Sequence, residues 1–519
     1  MSASINLRDS LLAALSKLPG VREFHIHVLV SAPRKSSSLY PYAKPRPKAY
    51  LHDIVVLCSE QENPDAPRVL VTAIEANVFH IPATSSAVLY VSKVDSTGQS
   101  KGKAPTATLV RALLAYYADP ATRPVDAEYL WVQLFARAQG QYLFPNSAEF
   151  SGKQPLTDAK LCSWWKRVLT QTIADVEARA ADKAKAKAFY ILPGYDQPEA
   201  EDLIRVASAT AAPLKTGITW FYTHPYSQEG VPLPCPRDAD GENLGTYIPW
   251  FDDDPKSRFI DEIALITTTT EGIKSPSKKR ARTESHSDVS SSKRPESDKS
   301  TRSEKEDKPM GELKKVSVDE FWERMSFRQE CVAGAVTGFF SVIFSPASTG
   351  NPKGGAARST VSPLAPQPGQ VAPQIIKRVM TSLLTGVEFS TREKAVRSTE
   401  TVESAIKGLC EGMASAPVST QPALVKNHSG RKTPERESTP PPALLAPPST
   451  PPRRTGKAAV AEVSPNPFPD PVTSLDTYLS YIYGSAAVSM PVADEGSKPA
   501  VAVAPVTVLT ARRKKKRGD

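Results

Sequence analysis

The chain has few of the features that would settle its class at once. No apolar run reaches the roughly 18 residues needed to span a bilayer. The longest candidate, Ala333–Phe344, is too short and contains glycines. Arg8 and Asp9 interrupt the first apolar run, so no secretory signal pattern is expected. Only 5 of the 519 residues are cysteine (Cys58, Cys162, Cys235, Cys331, Cys410), and no two form a C-x-x-C pair. That spacing predicts free thiols, with neither a disulfide framework nor a zinc cluster. A Walker phosphate loop is also missing. Only three residues separate Gly98 from Gly102, and Ala104 follows Lys103 where Ser or Thr is required. Internal repeats are absent, and the early histidines, His25 and His27, have no third metal ligand near them.

What the chain has in excess is proline, 48 residues unevenly spread, and positive charge, a net +10. The proline-rich parts predict that the folded portion is shorter than the chain. The basic balance suits an anionic or chromatin setting, although much of it sits in tails.

Leu7, Leu11, Leu15 and Leu18 recur at helical spacing and are stopped by Pro19-Gly20. Four strand-like runs follow: Phe24 to Val30, Ala49 to Cys58, Arg68 to Phe79 and Val88 to Val94. They predict an antiparallel meander and an α/β (α+β) core: a central mixed, largely antiparallel sheet wrapped by helices. A Gly/Ser/Lys loop then leads into a helix carrying Leu109, Leu113 and Leu114, which makes either a phosphate cradle or a flexible polar loop. Further helices are expected over Asp126–Arg137 and from Thr157 through Leu161, Trp164, Trp165, Val168 and Ile173, the latter continuing towards Ala188.

Four segments are expected: a core over 1–269, a disordered charged insert over 270–312, a helical return over 313–417 that completes the core, and a disordered Pro-rich tail over 418–519 with a basic end. Pro276–Arg282 and Arg512–Arg517 read as nuclear import signals or as solvated charge runs. Leu475–Tyr483 stands out in the tail as a short partner-binding segment.

The stretch with the most chemical content is Trp250-Phe251-Asp252-Asp253-Asp254-Pro255-Lys256-Ser257-Arg258-Phe259-Ile260. Three adjacent carboxylates flanked by aromatic and apolar residues form either a solvated turn or a partly buried site where a general base can arise.

Taken in order, several short motifs resemble one family. They are Val91-Ser92-Lys93-Val94-Asp95, Gln141-Tyr142-Leu143-Phe144-Pro145, Trp164-Trp165, Ile191-Leu192-Pro193-Gly194, Asp253-Asp254-Pro255-Lys256-Ser257-Arg258-Phe259-Ile260, Phe321-Trp322 and Arg328-Gln329-Glu330. The sequence resembles, over roughly residues 1–266 and 313–416, the fungal-specific histone H3 lysine acetyltransferases of the regulator of Ty transposition type. These are structurally related to the CREB-binding-protein acetyltransferases. The resemblance implies acetyl-CoA as cosubstrate, no metal, and direct attack of a lysine amine of histone H3, at core-edge and N-terminal tail positions. It implies histone H3 (as H3–H4) and histone chaperones of the nucleosome-assembly and anti-silencing types as partners. A nuclear location follows, with roles in replication-coupled nucleosome assembly, the DNA damage response and transcription regulation. No membrane partner and no sequence-specific DNA binding are expected.

By the same resemblance Asp254 and Asp253 are the catalytic acids, with Trp165 and Tyr142 walling the lysine channel. Val94, Asp95, Ser96, Lys103, Ala104, Pro105, Thr106, Ala107, Phe135, Gln139, Gln154, Pro155, Leu156 and Trp164 would contact the cofactor, and Lys256 would be autoacetylated. The rival reading is a non-catalytic basic nuclear scaffold binding acidic chromatin partners.

Overall fold

The architecture grows from β-strand alternation. A computed structural model describes residues 6–180, 184–209, 211–212, 214, 216–236, 243–266, 310–328, 331, 336–347, 361–412 and 467–490. Of the expected charged insert 270–312, residues 270–309 lie outside these residues, as do both basic runs, Gln329-Glu330 and Val332.

Ten strands form one sheet in the order β10-β1-β3-β4-β5-β6-β9-β7-β8, with β2 beside β3. The meander is β1 (Gly20–Val30), β3 (Ala49–Gln61), β4 (Val69–Ile81) and β5 (Ser86–Ser96), preceded by α1 (Leu7–Leu15), with β2 (Arg34–Ser36) between β1 and β3. All its pairings are antiparallel. Then α2 (Thr106–Ala118) crosses over to β6 (Tyr129–Ala136), which pairs parallel to β5. The mixed, largely antiparallel sheet wrapped by helices is therefore as the sequence predicted.

Three elements differ from expectation. Asp126–Arg137 is not a helix: Tyr129–Ala136 is the buried central strand β6, whose β-branched and aromatic residues face both layers. The next helix, α3 (Asp158–Ala180), stops early, and Ala184–Ile191 becomes β7. The return segment is not only helical. After α7 (Val318–Met325) comes β9 (Gly338–Pro346), which fills the gap between β6 and β7. In each case tertiary pairing overrides a local pattern that reads equally as helix.

Alternation sorts the core. Leu89 and Leu130 face one layer, with α1, α2, α3 and α4 (Gln197–Ala207) upon it. Their neighbours Val88, Tyr90 and Trp131 face the other, covered by α6 (Pro255–Leu265) and α7. Short β8 (Trp220–Tyr222) ends the sheet, and α5 (Leu244–Tyr247) leads towards α6. Beyond Val55 and Leu57, on the meander half of that second layer, lie α8 (Pro373–Thr385) and α9 (Arg392–Gly412).

The segment expected to be a disordered tail contains a further correction. Within it, residues 467–490 pack on the core, and β10 (Tyr483–Met490) pairs antiparallel with β1. His25 and His27 hold it there. His25 Nδ1 is 2.9 Å from the Tyr483 hydroxyl and His27 Nε2 is 2.9 Å from that of Tyr478. Burial holds the His27 pKa down at about 4. No group of three or more potential metal ligands occurs among the described residues.

Candidate active site

The acidic stretch folds into a turn that separates its carboxylates. Asp252 and Asp253 are exposed, whereas Asp254 is fully buried. Asp254 is the N-cap of α6: its Oδ1 accepts from the Lys256 N–H at 2.8 Å, and Pro255 occupies the first helical turn. Ser257 fixes the approach, its Oγ accepting from the Phe251 N–H at 2.7 Å.

Lys256 turns back onto its own cap. Its Nζ lies 2.8 Å from Asp254 Oδ2, with the two side chains 4% and 0% exposed. The alignment is that of an ion pair, since no hydrogen bond of good geometry reaches Oδ2. The ammonium also stands 4.9 Å above the Phe339 ring and 6.0 Å above that of Phe251. A pair this deeply buried holds only because each partner compensates the other; removing one charge leaves the other stranded.

Of the two readings the sequence left open, Asp254 lies in a buried place and Asp252 in a solvated turn, with Asp253 at the rim. Tyr90 stacks on Phe251 at 3.8 Å, and its hydroxyl donates to Asp253 Oδ1 at 3.3 Å. Lys93 reaches Asp253 at 3.5 Å and Glu75 at 2.7 Å. Burial, then Asp254 and Asp253, push the Tyr90 phenol well up, so it stays a donor. Burial works to lower Lys93, but Glu75 and Asp253 together raise it and keep it charged.

Val94, Asp95 and Ser96 close β5 and Phe135 lies near the end of β6, the carboxyl ends of a parallel pair, where open α/β sheets present ligands. Asp95 organises the loop beside them. Its Oδ2 accepts the N–H groups of Tyr142 (2.7 Å), Leu143 (2.8 Å) and Phe144 (3.2 Å). Its Oδ1 accepts from Ser96 N–H and from Lys153 Nζ at 2.9 Å. Asp95 therefore anchors the Gln141–Pro145 loop, and both its oxygens are committed to this chain. Lys153 comes close enough to Gly98 that a Cβ there would lie 2.5 Å from its Cα, so Gly98, at φ +75°, has no substitute.

Of the candidates from the sequence, Lys103, Ala104, Gln139, Gln154, Pro155 and Leu156 are exposed, while Val94, Ser96, Thr106, Ala107, Phe135 and Trp164 are half-buried and Pro105 is buried. Phe135 packs on Phe339 at 5.0 Å, which links this cluster to the ring beneath Lys256. Tyr142, its hydroxyl donating to the Arg137 carbonyl, stands within electrostatic reach of both Asp158 and Asp253. Burial first, then Asp95, raises its pKa to about 12.

Trp164 and Trp165 meet edge to face at 4.8 Å. Trp165 is 6% exposed and packs in the layer under α1–α4, on the opposite sheet face from Phe251 and Phe259. At the start of β9, Cys162 packs against Gly338, beside Phe339. Cys162 is buried and its thiol is pushed up to about 12, the wrong direction for a nucleophile.

Sequence reasoning missed Arg22, Glu60, Lys153, Tyr90 and Phe339. None sits in a recognisable spacing; sheet pairing recruits Arg22, Glu60, Tyr90 and Phe339, and the loop before α3 brings in Lys153.

The architecture is a mixed α/β sheet with a glycine-containing loop after the first strand of its parallel pair. The chain matches the model of the histone acetyltransferase KAT11-type domain over residues 123–405, and it belongs to that family. Curated relatives include the histone acetyltransferase rtt109 of Aspergillus flavus, 31% identical over 315 residues, covering 57% of this chain and 48% of that protein. The rtt109 of Schizosaccharomyces pombe is 24% identical over 264 residues, covering 49% of this chain and 52% of that one. The chain spans about half the length of these curated relatives. The fold is similar to the crystal structure of Rtt109 from Aspergillus fumigatus, with a TM-score of 0.55 and 24% identity over 78% of this chain and 96% of that chain.

Proposed function

We propose that this protein is a lysine acetyltransferase that moves the acetyl group of acetyl-CoA to histone lysines. Histone H3 in H3–H4 is the substrate, at core-edge and tail positions, and nucleosome-assembly and anti-silencing chaperones present it. The setting is nuclear, in replication-coupled assembly and the DNA damage response. Family membership supports the reaction class. The observation that carries the reading is the Asp254–Lys256 pair: a fully buried carboxylate beneath the Tyr90–Phe251 stack, with Asp253 at its rim.

A free lysine has a pKa near 10.4, so only about one in 10³ is the neutral nucleophile at pH 7. The incoming amine delivers its proton to Asp254, and Asp253 attracts the cationic side chain at the entrance. The amine nitrogen bonds to the thioester carbonyl, the C–S bond breaks, and the nitrogen's second proton passes to the departing sulfur, which leaves as the CoA thiol. No covalent enzyme intermediate is involved, in keeping with the buried state of Cys162. With Lys256 unmodified, Asp254 is held by its own chain's ammonium. Acetylation of Lys256 removes that charge and frees Oδ2 as proton acceptor. Lys101, Lys103 and the start of α2 are the groups at hand for the CoA phosphates.

The deciding experiment is labelled acetyl-CoA with purified protein, H3–H4 and each chaperone class. Label on H3, lost in Asp254→Asn, supports the proposal. No transfer under any chaperone condition would favour a scaffold.

A further inference from the structure

The loop between β5 and α2 is fastened from below by an ion pair that has no part in the chemistry. Arg22 on β1 and Glu60 on β3 meet at 3.1 Å, each side chain 3% exposed. Almost every polar atom of the pair is turned onto three loop residues. Arg22 Nη1 donates to the Lys101 carbonyl and lies 3.3 Å from Ser100 Oγ, and Nη2 donates to the Lys103 carbonyl at 2.7 Å. Glu60 accepts from the Lys101 N–H at 2.8 Å and from Ser100 Oγ at 2.5 Å.

Peptide planarity gives this arrangement a direction. The carbonyl and N–H of one trans peptide point opposite ways. Drawing the Lys101 and Lys103 carbonyls down to Arg22 turns the N–H groups of Gly102 and Ala104 up and away from it. The Lys101 and Lys103 side chains are exposed on that same loop, directly before the first turn of the 13-residue α2. Gly102 sits at φ +84°, the left-handed conformation that the double inward pull demands. Its neighbourhood is otherwise open, the nearest atom to an added Cβ being Arg22 Nη1 at 3.8 Å.

We infer that Arg22 and Glu60 are positioning residues for the nucleotide phosphates of acetyl-CoA: buried, they touch no ligand and act by presenting the Lys101–Ala104 backbone and lysines as an anion cradle. This rests on the acetyltransferase reading above. It separates two parts of the donor. The phosphates depend on Arg22; the thioester and pantetheine arm do not.

The test uses the full-length chain, with acetyl-CoA and with S-acetylpantetheine, which carries the thioester without the nucleotide. Arg22→Met is expected to raise KM for acetyl-CoA about tenfold, the scale of a misplaced binding group. The kcat and the histone KM stay near wild type, and S-acetylpantetheine kinetics do not change. Arg22→Lys, a point charge without the fork, gives an intermediate KM. Gly102→Ala, which leaves the pair intact and strains only the loop, reproduces the acetyl-CoA defect and decides the matter if Arg22→Met does not fold. An unchanged KM for acetyl-CoA in Gly102→Ala and in folded Arg22→Met, or an equal loss with both donors, would overturn the assignment. A wild-type protein that neither binds CoA nor acetylates histones from either donor would overturn the acetyltransferase reading as well.

Discussion

Lys153 Nζ lies 2.9 Å from Asp95 Oδ1, and the two side chains are 6% and 5% exposed. Three backbone N–H groups of the Tyr142–Phe144 turn converge on the same carboxylate. Asp95→Ala strands a buried ammonium and releases that turn together. The expected cost is about 3–5 kcal/mol, from removal of one partner of a buried pair. Urea unfolding of the variant measures it; a loss below about 1 kcal/mol would show that the turn holds without Asp95.

Asp254 and Asp253 should separate kinetically. Asp254→Asn keeps the cap on α6 but removes the proton acceptor, and kcat falls roughly 10²-fold, the size typical of a lost acid–base group. Asp253 is at the rim, bonded to Tyr90 and Lys93. Asp253→Asn therefore acts mainly on the KM for the histone. Steady-state acetylation with varied H3–H4 distinguishes the two, and the reverse pattern would exchange their roles.

Lys256→Met tests the local ion pair. The change leaves Asp254 buried without its counter-charge and costs about 3 kcal/mol or more. Mass spectrometry of wild-type protein after incubation with acetyl-CoA is the companion measurement: acetylation at Lys256 is expected, and rising activity with its extent supports release of Asp254. Full activity at zero acetylation would contradict that release.

The stability of the β10 segment should fall in mild acid. Burial lowers the folded pKa of His27 to about 4 from 6.5, so the unfolded chain binds more protons between those values. Stability therefore falls as pH drops from about 6.5 towards 4 and is flat above that window. His52, likewise lowered to about 4 by burial, acts in the same sense. Each contributes at most about 1.4 kcal/mol per pH unit. Unfolding curves between pH 4 and 7 check it, with His27→Gln expected to flatten the slope.

Ile482 is fully buried between the sheet and α9's layer. Ile482→Ala should cost about 3 kcal/mol, a typical core truncation. Thermal melting of the variant, with protease cleavage mapped around 467–490, tells whether this segment opens first.

The meander and the start of the crossover were legible because alternation and turn residues agree with the tertiary outcome there. β6 and β9 were not. Tyr129–Ala136 and Gly338–Pro346 are apolar on both faces, since both are covered by helices, and such runs carry no period. β10 was hidden by its composition: Gly484, Ser485, Ala486 and Ala487 look like tail until β1 supplies a partner. The acidic turn declared itself through Asp253, Asp254 and Lys256, but that Asp254 alone is buried follows from its capping of α6. Arg22 and Glu60 gave no signal, because their roles exist only once distant strands are side by side, and Lys153 gave none because the loop before α3 must first fold over Asp95.

The pairing of β1 with β10 also sets a schedule for biosynthesis. His27 and Tyr478 are 451 residues apart in sequence. At ribosomal rates of about 5–20 residues per second, the N-terminal strand leaves the exit tunnel on the order of tens of seconds before its neighbour exists. Through that interval its outer hydrogen-bonding groups are uncovered, an edge open to edge-to-edge association until the late strand is made.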